Sequence, residues 1–210
     1  GNNNESSSEA VNAWFGLLLL GETTGDTALR DLGAWLLTTE ISAIEDYWFD
    51  VRDDLHPPDF TPSVVTMVWG GKGANGTWFS ANPEAVHGIN YLPVTGASLY
   101  LGRWPDYARK NYAALVAENL ESDLATAAKR GQSTVTGNGT AFDQWADVMW
   151  MYRALTDPDD ALRMWEARSA DFKPEAGNSL AQTYAWLTAF ADLGQVDRTV
   201  TADTPFAAVF

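Results

Sequence analysis

The chain has 210 residues, a net charge of −15 at pH 7 and 46% apolar residues. That length suits one globular domain or a large piece of one, and the apolar fraction excludes disorder along the whole chain. The acidity excludes a nucleic-acid surface, which needs clustered Lys and Arg, and disfavours an anionic membrane, whereas a neutral polymer would not be repelled.

The chain opens at Gly1, with neither Met nor a signal peptide, and runs at once into Asn2-Asn3-Asn4-Glu5-Ser6-Ser7-Ser8-Glu9. So abrupt a start leads us to expect further residues upstream. Ser6-x-x-Glu9 fits a capping box, and Ala10, Val11, Trp14, Leu17 and Leu18 recur at helical spacing. A helix is therefore predicted over 6–20, with Gly21 ending it. Asp26 is the predicted N-cap of a second helix, in which Leu29, Leu32 and Leu36 lead on to about Phe49. A proline-containing stretch, His56-Pro57-Pro58-Asp59, follows.

The segment from about Ser63 to Leu101 reads differently. Val64-Val65-Thr66-Met67-Val68-Trp69 is a short β-like run, and Gly70 to Gly76 is a turn-rich loop. Trp78-Phe79 and His87-Gly88-Ile89-Asn90-Tyr91-Leu92-Pro93 lie in a stretch too irregular for long helices. Long irregular segments inside compact domains often carry function. Helices resume over Asp106 to about Leu120. A polar loop over Gly131 to Thr140 precedes a helix from Ala141 to Leu155, striped by Trp145, Val148, Met149 and Tyr152. Asp157-Pro158 supplies an N-cap and first-turn proline for a helix to about Ala170. Ser179-x-x-Gln182 caps a last helix, ended by Gly194, and Thr199 to Phe210 reads as a short extended tail. No sequence repeats at a fixed period. The expected fold is mainly all-α, a helical array or toroid, with an irregular β-like segment around residues 63–101.

Glu5 and Glu9 are the first candidates for chemistry. If both are helical they share a face, with Cβ atoms about 6 Å apart. Hydrolysis of a glycosidic bond needs two carboxyl groups on opposite sides of that bond. Two groups on one helical turn do not straddle it, so one of this pair would activate water and the acid would come from elsewhere. The same spacing also serves plain structure: Glu9 closes the capping box and Glu5 favours a helix N-terminus. His87 is either a hydroxyl contact and proton relay or a structural histidine. The ten Trp, seven Tyr and nine Phe either cover the flat faces of pyranose rings or fill the core.

Two His, no local ligand cluster and no Cys give no case for a metal, and no cofactor is expected. Gly70-Gly71-Lys72-Gly73 lacks the phosphate-loop spacing, no GxSxG elbow exists, and no apolar run reaches transmembrane length.

Taken together, the motifs resemble glycoside hydrolase family 81, the inverting endo-β-1,3-glucanases. Asn3 to Ala13 carries the first of them, followed in order by Val68-Trp69-Gly70-Gly71-Lys72 and Thr77-Trp78-Phe79. His87 to Pro93, Ser98-Leu99-Tyr100-Leu101-Gly102 and Gly177-Asn178-Ser179 complete the series, over nearly the whole chain. The resemblance implies a large secreted enzyme, with a β-sandwich domain followed by an (α/α)6 barrel. Residues 1–210 would be the C-terminal portion of that barrel; its upstream part and the β-sandwich would lie outside this chain. It implies β-1,3-glucan as substrate, Glu5 as general base, Glu9 as a residue that positions water or binds sugar, and an upstream Asp as general acid. Trp69, Trp78, Tyr91 and Tyr100 are the candidates for sugar contact, with Asn4 beside Glu5 and His87 for a hydroxyl. No metal is implied. The implied partner is the remaining N-terminal part of the same enzyme, without which the 210 residues are expected to be inactive. The competing reading is a non-catalytic β-glucan-binding fragment, in which the Glu5 carboxylate does no chemistry. A polysaccharide lyase would need an anionic substrate, which the charge disfavours.

Overall fold

A computed structural model describes residues 4–130, 145–168, 170, 172–174 and 177–193, with residues 119–130 and 193 described by their backbone alone. The predicted polar loop at 131–140, the terminator Gly194 and the tail from Thr199 lie outside the described residues.

Helices α1 (Ser7–Thr24) and α2 (Thr27–Ala43) form a hairpin. Gly25 closes α1 at φ 73°, in the left-handed region that glycine adopts freely. Asp26 caps α2 as predicted, its Oδ1 accepting from Leu29 N at 3.0 Å. Gly21 does not end α1. It is a point where the two helices touch: a Cβ there would stand 2.3 Å from Arg30 N. Gly33 does the same from the other side, its missing Cβ falling 2.5 Å from Leu18 N. The two glycines let the backbones approach, so the C-cap signature at Gly21 is a packing feature. α2 runs on into a π-helical turn at Ile44–Trp48, close to the predicted limit.

The predicted capping box is absent. Ser6 sits at φ 70° and ψ 77°, and its side chain caps nothing. The reason lies upstream, in a two-residue strand, β1 (Asn4–Glu5), so Ser6 turns sharply between strand and helix. Glu5 and Glu9 therefore do not share a helical face.

β1 pairs antiparallel with β2 (Met67–Trp69), placing Glu5 opposite Met67 and Asn4 opposite Val68. β2 turns back through Gly70-Gly71, with Gly70 at φ 60°, into β3 (Lys72–Ala74). β2 and β3 are the β-like part of the predicted irregular segment, and β1 adds a third strand from outside it. The remainder of that segment is a short helix, α3 (Pro83–Gly88), and a 3-10 turn at Gly96–Gly102.

The other helices are α4 (Pro105–Arg130), α5 (Ala146–Ala154), α6 (Pro158–Glu166) and α7 (Leu180–Leu193). The caps of α6 and α7 follow the sequence signals, whereas α5 starts at a left-handed Trp145 with no side-chain cap. Asp157 accepts from Asp160 N at 3.1 Å, and Ser179 Oγ accepts from Gln182 N at 3.1 Å. The chain is thus mainly helical, as expected. α5, α6 and α7 pack on one another through Trp150, Trp165 and Phe172, with Tyr184 against Trp165. Asn178 belongs to this docking, since its Nδ2 donates to Asp147 Oδ2 at 2.8 Å. Trp150, Tyr91, Ile41, Leu115 and Met149 are sealed in one core. Full burial of each such side chain contributes about 1.5–3 kcal/mol. Among the described residues no helix is long and apolar enough to cross a membrane.

Candidate active site

The site is built where β1 hands over to α1. Strand pairing with Met67 fixes the backbone of Glu5, and the left-handed Ser6 directs α1 away from it. The carboxylate of Glu5 is half-buried, and its Oε1 accepts from the backbone N–H of Trp78 at 3.0 Å. Among the described residues no donor reaches Oε2. One backbone bond limits the directions open to this carboxylate, and a general base needs such positioning. Glu9 is exposed in the first turn of α1. Asn4 is exposed in β1.

Beside Glu5 stands a group of aromatic rings. Trp69 and Trp78 approach with centroids 4.9 Å apart at 49°, Trp69 half-buried and Trp78 62% exposed. Phe79 is exposed next to it and packs at 5.9 Å on Trp145. Exposed tryptophan is unusual for a core residue and suits a surface that meets flat apolar faces. Phe79 and Trp145 thus join the aromatic group beyond the sugar contacts that the sequence suggests. The signal available was the run Trp78-Phe79 in a loop.

Three of the expected sugar contacts do not lie at this surface. His87 has 0% exposure and sits in α3, its Nε2 3.1 Å from Oε2 of Glu118 in α4. It ties two helices together and meets no hydroxyl from outside. Tyr91, also 0% exposed, stacks on Tyr152 with centroids 4.1 Å apart and planes 9° apart, and Asn111 Nδ2 donates to its hydroxyl. Burial pushes that hydroxyl well above its ordinary pKa, so it stays neutral. Tyr100, 4% exposed, is core as well, and burial raises its hydroxyl too. The packing of the 3-10 turn and α3 on the helices withdraws all three.

The turn after Glu5 is gripped from the segment 89–95. Asn90 Oδ1 accepts from Ser7 N at 3.2 Å and from Ser7 Oγ at 2.9 Å. Ser8 Oγ donates to Leu92 O, and Asn12 Nδ2 donates to Pro93 O at 3.1 Å. Thr95 Oγ1 donates to Asn12 Oδ1 at 2.7 Å. Two motifs distant in sequence are thus one structural unit. A cavity of about 350 Å³ lies elsewhere, between Phe49, His56, Tyr107 and Lys110, and shares no residue with this unit. Among the described residues no group of three or more His, Cys, Asp or Glu is placed to hold a metal ion.

A half-buried carboxylate next to an exposed indole fits the glycoside hydrolases, whose scaffolds bring acids to sugar rings. Residues 1–187 match the glycosyl hydrolase family 81 C-terminal domain, and the chain belongs to that family. It is 42% identical over 210 residues to a glucan endo-1,3-beta-D-glucosidase of Acetivibrio thermocellus, covering all of this chain and 24% of that protein. It is 43% identical over 210 residues to a protein of the same description from Thermobifida fusca, covering 25% of it. The solved structure of a glycoside hydrolase family 81 point mutant from Clostridium thermocellum superposes with a TM-score of 0.76 at 41% identity. That match covers 92% of this chain and 24% of the other. The chain therefore spans about a quarter of the length of these relatives.

Proposed function

We propose that this chain supplies the general-base side of an inverting endo-β-1,3-glucanase site within a longer, secreted enzyme. The observation that carries the reading is the half-buried Glu5 carboxylate, anchored through Oε1 to the N–H of Trp78, whose exposed ring stands against Trp69. Glu5 takes a proton from a water molecule as that water's oxygen bonds to the anomeric carbon. The glycosidic C–O bond breaks as an Asp from a segment outside this chain protonates the leaving oxygen. The two carboxyl groups then stand about 6.5–9.5 Å apart, with the water between one of them and the sugar. Glu9, exposed one turn into α1, steadies the water or a sugar hydroxyl, and Asn4 lies beside the base. The Trp69 and Trp78 rings carry the apolar faces of the glucan.

Support comes from family membership and from relatives named as glucan endo-1,3-beta-D-glucosidases. The (α/α)6 barrel, with the rest of the enzyme packed on this portion, completes the proposal. Exposed Leu19, Leu20, Leu32 and Trp35 on the α1–α2 hairpin are consistent with such a cover. The stereochemistry is tested by NMR of the first product released from laminarin by the longer enzyme. Single displacement yields the α-anomer; initial release of the β-anomer overturns it.

A further inference from the structure

We propose that Asn90 is a positioning residue that sets the direction of the Glu5 carboxylate, a role that rests on the reading of Glu5 as general base. The first N–H groups of a helix have no partner inside the helix and need one from outside. In α1 the expected donor of that service, Ser6, fails to supply it: its Oγ is buried without a hydrogen-bond partner. Asn90 supplies it instead, from 83 positions away in sequence, by accepting from both the N–H and the hydroxyl of Ser7. The same amide, fully buried, donates from Nδ2 to Val65 O at 3.4 Å. Val65 leads into β2, whose Met67 pairs with Glu5. One side chain therefore touches the helix that follows Glu5 and the residue two positions before Met67, its partner in the paired strand.

The intervening residue makes this grip consequential. Ser6 holds φ 70°, a conformation that costs about 1–2 kcal/mol for a residue with a side chain. Nothing in its own side chain repays that cost, so its neighbours impose the turn. If the Asn90 clamp is released, Ser6 relaxes toward an ordinary backbone conformation and Glu5 rotates with it. The bond from Trp78 N holds only one carboxylate oxygen, so it does not fix the direction alone.

The test uses the full-length enzyme with laminari-oligosaccharides, measuring kcat and KM for Asn90→Ala, Ser7→Ala, Glu5→Gln and the Asn90→Ala/Glu5→Gln double variant. Misplacing a catalytic group by about 1 Å costs roughly a hundredfold, so Asn90→Ala is expected to lower kcat by about that factor with KM changed less than about threefold. Ser7→Ala keeps its N–H bond and loses only the hydroxyl bond, so its loss of kcat is smaller. In the Glu5→Gln background Asn90→Ala adds nothing, because no base remains to misdirect. The same fold-loss in both backgrounds, or wild-type kcat for Asn90→Ala, overturns the proposal. If Asn90→Ala does not fold, Ser7→Ala decides: a several-fold loss of kcat at constant KM supports the role, and an unchanged kcat overturns it. Wild-type turnover by Glu5→Gln removes the base reading and the role of Asn90 with it. Loss in Glu5→Gln without loss in Asn90→Ala removes Asn90 alone.

Discussion

Trp78 donates its backbone N–H to the Oε1 of Glu5 at 3.0 Å, across 73 positions of sequence, while its indole ring stands exposed against Trp69. One residue thus meets the proposed site twice, by a main-chain bond to the carboxylate and by an exposed ring.

The two services separate on mutation. Trp78→Ala deletes the ring and keeps the N–H. Loss of an aromatic contact worth about 0.5–1.5 kcal/mol raises KM for laminarin up to about tenfold, while kcat stays within about threefold. Steady-state kinetics of the full-length variant check this. A large fall in kcat at constant KM would mean that the ring positions Glu5.

The helix hairpin makes a paired prediction about stability. Gly33→Ala places a methyl group 2.5 Å from Leu18 N, where only backbone could yield, and costs about 1–3 kcal/mol. Gly16→Ala in the same hairpin meets nothing within 4 Å and gains about 0.5–1 kcal/mol from reduced chain entropy. Thermal unfolding of both variants checks the contrast, and equal effects would remove the close approach of α1 and α2.

Asp50 predicts a pH dependence. It holds φ 45° at the end of the π-helical region, and its carboxylate accepts from the N–H groups of Asp54, Leu55 and His56. Burial pushes its pKa up, but these three backbone bonds and the nearby His56 outweigh burial and hold it below the ordinary 3.8. A depressed carboxylate pKa stabilises the fold above the unfolded value, and that stabilisation is lost as pH falls below 3.8. Glu45 acts with opposite sign: burial raises its pKa, only partly offset by Arg103 at 3.3 Å, so its ionisation above 4.5 opposes folding. The difference between wild type and Asp50→Asn isolates the first effect, since Asn tolerates the same positive φ. That difference is about 1–2 kcal/mol near neutral pH and shrinks below pH 3.8. A difference independent of pH would contradict it.

Expressed alone, the 210-residue chain is expected to release no reducing sugar from laminarin, because the proposed acid lies outside it. With Trp35 64% exposed and Leu19, Leu20 and Leu32 open on the same hairpin, it should also bind an apolar dye strongly. Robust turnover by the isolated chain would contradict the assignment of the acid.

What the sequence made legible were features written within a few residues. Asp26, Asp157 and Ser179 cap helices because each side chain reaches an N–H three positions on, and the sequence displays both partners. Ser6 carries the same signature and fails, because β1 delivers the chain at the wrong angle and Asn90 caps from far away. Gly21 departs from its expected role for a related reason: a glycine that ends a helix and one that admits a neighbouring helix look alike in sequence. Tyr91 and Trp78 are both aromatic residues in an irregular segment, yet one is sealed against Tyr152 and the other projects outward. That difference is decided by long-range packing. His87 followed Tyr91 inward, its ring taken up by Glu118 of α4.

The most direct measurement is turnover of laminarin by the full-length enzyme carrying Glu5→Gln, alongside the affinity of the same variant for the polysaccharide. Removal of a general base predicts a kcat lowered by roughly 10²–10⁴-fold with binding retained. Turnover equal to the unsubstituted enzyme would contradict the account and leave Glu5 as a structural residue beside a glucan-binding surface.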